Sequence, residues 1–301
     1  MSIHEPVLLK EILEYLNPQP GQNFIDGTFG GGGHGLAILE RIKPDGALIG
    51  IDWDPSAIQD SQNKNLILIN DNYRNLKNIF VKNDQGISNI SGILLDLGLS
   101  SDQLGVGDRG FSFQGKEFLD LRYNKNSQTL TGAEILKTYN QQELFKIFKE
   151  YGEEPLSWPI AKKIIADRQM GRTVETADML VQLVSGIYKR NFKSRSRRNP
   201  ATRVFQALRI AVNNEFGNLR SVLPQAIEIL ARGGRLAVIS FHSGEDRIVK
   251  NFFRDEAKKE PPTIKILTKK PIVASENEIQ ANPRSRSAKL RVAEKLVAGS
   301  L

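Results

Sequence analysis

The first hundred residues alternate between short, continuously apolar stretches and longer stretches in which apolar positions recur every three or four residues. The apolar stretches predict buried strands, and the periodic stretches predict helices that cover them. The predicted strands are residues 23–26, 47–52, 66–69 and 93–96, and the predicted helices are residues 7–16, 34–42 and 76–81, with a further helix start at Asp54 and Pro55. Buried strands that alternate with helices are typical of a doubly wound α/β fold with a parallel sheet.

This pattern stops near residue 100 and resumes near residue 200. The intervening residues contain no convincing strand but have amphipathic stretches at 141–151, 159–169 and 176–188. Beyond residue 200 the pattern predicts helices at 201–215 and 222–230, a strand at 236–240, and weaker strands at 263–267 and 290–295. We therefore predict one α/β domain formed by residues 1–100 and 200–301, with residues 101–199 inserted as a mainly helical domain that recognises the substrate.

A glycine-rich loop follows the first predicted strand. Gly30, Gly31, Gly32 and Gly33 lie between that strand and the next predicted helix. Glycine lets the backbone approach a ligand without an intervening Cβ atom, and the amides at a helix N-terminus then face that ligand. A merely flexible loop is the alternative, but four glycines at a strand-to-helix junction favour a nucleotide site.

The acids at the strand ends bear on which cofactor this site binds. Asp26, Asp52 and Asp96 each end a predicted strand, and open α/β sheets bind ligands at the carboxyl ends of their strands. Three carboxylates suit a ribose diol and a cationic amino-sulfonium group, but they suit a pyrophosphate poorly. The glycines also lack the full G-x-G-x-x-G spacing of dinucleotide sites. The residues thus favour S-adenosylmethionine over NAD, although each aspartate taken singly could also cap a helix or a turn.

The composition narrows the classes of partner. The chain of 301 residues has no cysteine and three scattered histidines, so disulfides and thiolate metal sites are excluded and no metal is predicted. Its net charge of +8 indicates a polyanionic partner such as nucleic acid. Basic residues concentrate in a first cluster, Lys189, Arg190, Lys193, Arg195, Arg197 and Arg198, and in a second cluster, Arg284, Arg286, Lys289 and Arg291.

The N-terminus lacks the basic and then apolar pattern of a secretory signal. No apolar run approaches the length that a membrane span requires. These two features predict a cytoplasmic protein.

Long motifs spread over almost the whole chain resemble one known family. They are residues 4–9, 25–34, 92–104, 109–113, 119–122, 199–210, 233–243, 245–247 and 282–291. In these segments the sequence resembles the RsmH, or MraW, family of bacterial small-subunit ribosomal RNA methyltransferases, which methylate N4 of a decoding-centre cytidine. The order and length of the motifs make the resemblance highly specific.

The resemblance implies a class I methyltransferase fold, Rossmann-like and doubly wound, that binds S-adenosyl-L-methionine. The cofactor-binding positions that it implies are Gly32, Gly33, His34, Asp52, Tyr73, Asp96 and Gln103. The family often has phenylalanine at the position of Tyr73 and histidine at that of Asn199, so no acid–base role is assigned to Asn199. The implied reaction is N4-methylation of a cytidine in the decoding region of 16S ribosomal RNA. The implied partner is that RNA within the small ribosomal subunit, and a homodimer is left open.

The reaction itself suggests where the chemistry lies. The amino group of cytosine is a poor nucleophile because its lone pair is delocalised into the ring, so hydrogen-bond acceptors must localise that pair and then take a proton. Asp96 and Ser100 are the catalytic candidates. Many amino-methyltransferases have an Asp/Asn-Pro-Pro-aromatic motif here, whereas this chain has Asp96-Leu97-Gly98-Leu99, which leaves the identity of the proton acceptor open.

The candidates for RNA contact are basic or aromatic side chains. They are Arg195, Arg197, Arg198, Arg203, Arg209 and His242, with Phe111, Phe113 and Phe241 as candidates for stacking on an unstacked base. Arg203 and Arg209 could instead form pairs within the protein, the phenylalanines could be ordinary core residues, and a lone histidine is more often structural than catalytic.

Three other functions remain as alternatives. An NAD-dependent oxidoreductase would share the loop and Asp52, but the irregular glycine spacing and the three acids argue against it. A non-catalytic RNA-binding protein on the same scaffold would not need the full set of pocket motifs. A methyltransferase acting on another RNA, DNA or protein is excluded only by the family resemblance.

Overall fold

The computed structural model describes residues 6–58, 61, 63–83, 87–99, 109–112, 116–192 and 199–296. The chain divides into two compact units. The first unit consists of residues 1–100 and 216–301, and the second consists of residues 101–215.

The described helices, in chain order, are α1 (Leu9–Leu16), α2 (Gly33–Ile42), α3 (Leu76–Lys82), α4 (Gly132–Thr138), α5 (Gln141–Glu150), α6 (Ser157–Gln169), α7 (Ala177–Asn191), α8 (Thr202–Asn213), α9 (Glu215–Ile229), α10 (Ser243–Ala257) and α11 (Glu276–Ala281). Short 3-10 turns cover Pro55–Ala57, Tyr73–Asn75 and Pro283–Ser287. None of the helices among the described residues is long and apolar enough to cross a membrane.

The first unit is built on a seven-stranded sheet. Its strands are β1 (Asn23–Asp26), β2 (Leu48–Asp52), β3 (Leu66–Asn70), β4 (Ile90–Asp96), β5 (Leu230–Ser240), β6 (Ile264–Ile266) and β7 (Lys289–Lys295). They lie in the order β3-β2-β1-β4-β5-β7-β6, and β7 runs in the direction opposite to that of the other six. The predicted α/β fold is confirmed.

Hydrophobic side chains fill both faces of this sheet, because successive residues of a strand point to opposite sides. In β1, Phe24 belongs to one buried cluster and Ile25 to the other, and in β4 Leu94 and Leu95 separate in the same way. Helices α1 and α2 cover the cluster that contains Phe24, whereas α3, α9 and α10 cover the cluster that contains Ile25. Both faces of the sheet therefore exclude water. This explains why the strands are apolar throughout and do not alternate between apolar and polar residues.

The second unit contains helices and irregular segments but no strand among its described residues, where its one β interaction is an isolated bridge between Phe118 and Thr176. Helices α5, α6 and α7 agree with the predicted helices to within a few residues. Helix α8 packs on α4 and α5 and belongs to this unit. The second boundary therefore lies at residues 215–216, whereas the sequence pattern placed it at residues 199–200.

Three helices that the structure contains were not predicted: α4, α10 and the six-residue α11. Helix α4 has seven residues and is too short to show periodicity, although Thr131 caps it by accepting a hydrogen bond from Glu134 N at 3.1 Å. Helix α10 is rich in charged residues, and its cap is His242, which is not one of the usual capping residues. For α4 and α10, the local sequence pattern was a weaker signal than the packing that stabilises each helix.

Candidate cofactor and catalytic site

Three carboxylates meet at one edge of the sheet in the first unit. Asp26 ends β1, Asp52 ends β2 and Asp96 ends β4, and β1 lies between the other two strands. Because these strands are parallel and adjacent, their carboxyl ends face the same side. This is the position at which open α/β sheets bind ligands.

The glycine loop between β1 and α2 is held against the neighbouring strands by its backbone. The amide of Gly27 donates to the Leu94 carbonyl of β4, and the amide of Phe29 donates to the Ile51 carbonyl of β2, both at 2.9 Å. Gly32, the residue before α2, has φ +78°, a conformation that favours glycine, and a Cβ atom there would lie 2.9 Å from the Phe29 ring. The loop is therefore shaped by the sheet and is not merely flexible.

Asp52 anchors this loop from β2. Its two carboxylate oxygens accept hydrogen bonds from Gly30 N and Asp54 N, each at 2.8 Å. Burial raises the pKa of Asp52 to about 6, although these two amides oppose that shift. The backbone amide of Trp53 also hydrogen-bonds to this carboxylate. A carboxylate has about four lone pairs, so one remains to accept a hydrogen bond from a hydroxyl group of a ligand.

His34, in the first turn of α2, connects the N-terminal segment to β4. Its Nε2 lies 2.9 Å from the Val7 carbonyl, and its Nδ1 lies 3.5 Å from Asp96 Oδ2. A carbonyl only accepts, so Nε2 carries a hydrogen, and the neutral ring then presents a lone pair from Nδ1 to Asp96. Burial lowers the pKa of His34, an effect that the nearby Asp26 opposes. The Nδ1 lone pair and the Asp96 carboxylate repel each other when no proton lies between them. The contact becomes attractive when one proton is shared by the two groups.

Asp96 has the most perturbed carboxyl group among the three strand-end acids. Burial, together with the charge of Glu245, raises its pKa to about 7. Burial likewise raises the pKa of Asp26 to about 6, partly offset by His34. The Oδ1 atom of Asp96 is buried and has no hydrogen-bond partner among the described residues. A buried acceptor without a partner is costly unless a ligand supplies a donor, so this atom marks where a ligand would bind.

Two other side chains complete the surroundings of the loop. Thr28 accepts a hydrogen bond from the Asp96 amide at its Oγ1, at 2.7 Å, and so ties the loop to the end of β4. Tyr73 lies in the 3-10 turn after β3, half-buried, and its Cβ is 3.6 Å from the point that a Cβ on Gly27 would occupy. The Tyr73 side chain therefore begins beside Gly27, at the start of the glycine loop.

The structure places six predicted cofactor residues in the first unit, on the glycine loop and at the strand ends: Gly32, Gly33, His34, Asp52, Tyr73 and Asp96. Ser100 and Gln103 lie outside the described residues. Sequence reasoning missed the roles of Thr28, the Val7 carbonyl and Glu245. Thr28 and Glu245 are within motifs that carried the resemblance, but neither motif shows which strand end its residue contacts.

The arginines that were predicted to contact RNA differ in their partners within the protein. Arg195, Arg197 and Arg198 lie outside the described residues. Arg203 is exposed and donates to the Glu153 carbonyl at 3.2 Å. Arg209 forms a two-pronged ion pair with Glu215, at 2.8 and 2.9 Å, so the internal pairing left open above is present.

His242 and the predicted stacking residues also have local partners. His242 caps α10: its Nδ1 accepts from Glu245 N at 3.4 Å, and its ring lies 5.5 Å from that of Phe216. Phe111 is buried, with its ring 6.0 Å from that of Tyr123, whereas Phe241 is half-buried and Phe113 lies outside the described residues. Contacts of His242 and these phenylalanines with RNA stay predictions.

The fold and the site together define a class of protein. A sheet in the order 3-2-1-4-5-7-6 with an antiparallel seventh strand, a glycine loop after β1 and an acid at the end of β2 is the arrangement of class I methyltransferases. This class takes its methyl group from S-adenosylmethionine, the cofactor predicted from the sequence. The NAD alternative loses its support, because NAD folds lack this antiparallel strand order.

Comparison with known proteins identifies the family. The family model described as the MraW methylase family matches residues 1–296, and the chain belongs to that family. The Ribosomal RNA small subunit methyltransferase H of Heliobacterium mobile is 45% identical over 312 residues, covering 97% of this chain and 99% of the relative. The protein of the same name from Thermomicrobium roseum is 45% identical over 314 residues, covering 98% and 94%.

A solved structure described as an rRNA methylase from Streptococcus thermophilus aligns with 99% of this chain and 100% of its own, with a TM-score of 0.43 and 11% identity.

Proposed function

We propose that this protein transfers a methyl group from S-adenosylmethionine to N4 of a cytidine in the decoding region of 16S ribosomal RNA. Membership of the MraW methylase family and the names of its 45% identical relatives support a small-subunit ribosomal RNA substrate. The observation that carries the proposal is the buried Oδ1 of Asp96 at the cofactor edge of the sheet, an acceptor without a hydrogen-bond partner among the described residues. An amino group is a donor that such an acceptor can bind.

The residues present fit the cofactor. Asp52 offers a lone pair to a ribose hydroxyl. Tyr73 supplies an aromatic side chain in the turn after β3, and Gly33 is the first residue of helix α2. Asp26 and Asp96 supply negative charge for a cationic ligand. When bound, S-adenosylmethionine supplies a methyl group already activated on a sulfonium.

Asp96 is the proposed catalytic residue. Its carboxylate would accept a hydrogen bond from the amino group, which localises the nitrogen lone pair, and would then take the proton that the nitrogen loses as it gains the methyl. A carboxyl group with a pKa of about 7 is matched to accepting a proton at neutral pH. The Nδ1 atom of His34 lies 3.5 Å from the second oxygen of Asp96, and this contact becomes attractive once Asp96 has taken the proton. Ser100 and Gln103 stay predicted members of the site.

The charge of the chain and the basic cluster in its second unit support an RNA partner. A net charge of +8 favours a polyanion, and the first basic cluster, residues 189–198, is proposed to contact phosphates through Arg195, Arg197 and Arg198. Arg203, Arg209 and His242 remain weaker candidates because of their internal partners. The target base would be unstacked before it enters the site. A cytoplasmic location and action on assembled subunits are part of this proposal.

The test is methyl transfer from radiolabelled S-adenosylmethionine to small ribosomal subunits from cells that lack the corresponding gene. Nucleoside analysis should recover the label as N4-methylcytidine, and the Asp96→Asn variant should lose most of the transfer. Label in a different nucleoside would refute the N4 assignment. Binding of the cofactor without label on subunits or on naked ribosomal RNA would indicate another acceptor, and no cofactor binding would refute the whole proposal.

A further inference from the structure

The second unit carries an exposed aromatic pair to which the function proposed above gives no role. Trp158, near the start of α6, is 47% exposed, and its ring centroid lies 5.4 Å from that of Phe145 on α5, with the two ring planes at 81°. Such an edge-to-face contact holds the indole in one orientation. The exposed half of Trp158 is therefore an ordered apolar surface that a ligand can cover.

The helical period places one lysine beside each of these rings. Lys149 follows Phe145 by four residues on α5, and Lys162 follows Trp158 by four residues on α6. Residues four apart share a face of a helix. Both lysines are exposed, and neither forms an ion pair or a hydrogen bond with a described residue. These four residues are called the aromatic–lysine surface below.

The acidic residues of α5 and α6 lie away from this surface. Glu143 and Glu150 lie two residues before and five residues after Phe145. Asp167 lies nine residues after the tryptophan and pairs with Lys163 at 2.7 Å. In a helix of about 3.6 residues per turn these positions fall on the half opposite the aromatic rings. The two helices therefore leave the aromatic–lysine surface positively charged.

We propose that the aromatic–lysine surface binds an unpaired segment of the substrate RNA, with a base stacked on Trp158 and phosphates held by Lys149 and Lys162. An aromatic ring can stack on any base because every base has a π face, and an ammonium group binds phosphate as a point charge. The two lysines and the net charge of +8 favour a polyanion over an apolar protein partner. The inference rests on the proposed RNA substrate and adds a base-stacking site in the second unit.

The test uses an oligouridylate of about ten nucleotides as the single-stranded probe. The chain has two tryptophans, Trp53 and Trp158, and a base stacked on an indole quenches its fluorescence. Trp158→Phe keeps an aromatic ring without the indole, whereas Trp158→Leu removes the π face. The matched control is Phe118→Leu, which replaces another exposed aromatic side chain of the second unit, 49% exposed.

The charge variants form a second matched pair. Lys149→Gln/Lys162→Gln removes both lysines of the surface. The control, Lys137→Gln/Lys163→Gln, removes two cations of the same unit that lie outside the surface. Affinity is measured over a series of KCl concentrations, and the thermal unfolding and S-adenosylmethionine binding of each variant show that it folds as the unchanged chain does.

Trp158→Leu should bind the oligouridylate about tenfold more weakly. Trp158→Phe should bind within about threefold of the unchanged chain but lose most of the fluorescence quenching. Replacing the two lysines of the surface should reduce the slope of log affinity against log salt by about 1. Both controls should change affinity by less than about twofold.

Equal affinity of Trp158→Leu and the unchanged chain would overturn the inference, as would quenching that persists in Trp158→Phe or an unchanged chain that does not bind the probe. A dimer that Trp158→Leu dissociates in sedimentation, with equal affinity for the probe, would assign the surface to a second copy of the chain instead. Weaker binding to ribosomal subunits alone would assign it to a ribosomal protein. Failure of the proposed function looks different: binding of the probe depends on Trp158, but no N4-methylcytidine forms.

Discussion

At the scale of single residues, the site depends on buried carboxyl groups that hold protons more tightly than usual. Asp96 is the clearest case, because burial raises its pKa to about 7 while its Oδ1 has no partner among the described residues. Nearby, the Val7 carbonyl fixes the hydrogen of His34 on Nε2 and directs the Nδ1 lone pair at Asp96. Burial of the ionised Asp96 thus costs electrostatic free energy, which a cationic, hydrogen-bonding ligand can offset.

The first prediction concerns stability against pH. The pKa of Asp96 is raised above its unfolded value, so the folded state binds a proton more tightly, and this contribution to stability is lost as pH rises from about 4 to about 7. We expect Asp96→Asn to be more stable than the unchanged chain by about 1–2 kcal/mol at pH 8, with a smaller difference at pH 5. Urea unfolding at both pH values measures this, and a difference that does not depend on pH would contradict it.

The second prediction concerns protons released on cofactor binding. A cationic ligand favours the ionised forms of Asp26, Asp52 and Asp96, whose pKa values burial raises to about 6, 6 and 7. Affinity for S-adenosylmethionine should therefore increase several-fold between pH 5.5 and pH 8, with proton release near pH 6–7. Calorimetry in two buffers of different ionisation enthalpy detects the release. Asp96→Asn should release fewer protons, and identical heats in both buffers would contradict the prediction.

At the scale of elements, ion pairs between neighbouring elements decide which basic residues are structural. Arg291 of β7 and Asp246 of α10 are 45 residues apart and form a largely buried pair. Arg209 of α8 and Glu215, the first residue of α9, form another, to which the Tyr123 hydroxyl adds a hydrogen bond at 3.2 Å. Charge alone does not distinguish such structural cations from cations that contact a polyanion.

The third prediction separates two cations of the same cluster. Arg291→Gln should lower the free energy of unfolding by about 2 kcal/mol, because it leaves the carboxylate of Asp246 partly unpaired in a buried position. Lys289→Gln should lower it by less than about 0.5 kcal/mol, because the Lys289 amine is farther from Asp246, at 3.6 Å, and its side chain is 38% exposed. Urea unfolding of the two variants provides the comparison. Equal losses would show that exposure does not set the strength of these pairs.

At the scale of the whole molecule, the described cofactor groups and the helical unit belong to different parts of the chain. The glycine loop and the strand-end acids are in the first unit, whereas α5, α6 and α7 are in the second. The net charge of +8 attracts polyanions over the whole surface, whereas a cofactor contacts a few local groups.

The fourth prediction follows from this division. Saturating S-adenosylmethionine should slow amide hydrogen exchange in peptides from the ends of β1, β2 and β4 and from the start of α2. Exchange in α5–α7 should stay unchanged within error. Mass spectrometry of peptides with and without the cofactor measures both regions in one experiment. Slower exchange confined to the helical unit would contradict the assignment of the site.

The sequence by itself was sufficient for the elements whose signal is local. Continuous apolar runs indicated β1, β2, β3 and β4. The glycine loop, with an acid at the ends of β1, β2 and β4, indicated a nucleotide-type site. The family followed from motifs whose residues are contiguous in the chain. Helix α4 escaped prediction because seven residues show no clear periodicity, and α10 because it is rich in charge.

Tertiary structure decided the relations between residues far apart in the chain. It brought His34 to Asp96, tied Asp96 to Thr28, and paired Arg291 with Asp246. It also assigned α8 to the helical unit. These outcomes depend on strand order and register, which are set by the packing of both faces of the sheet and leave no signal in any short stretch of sequence.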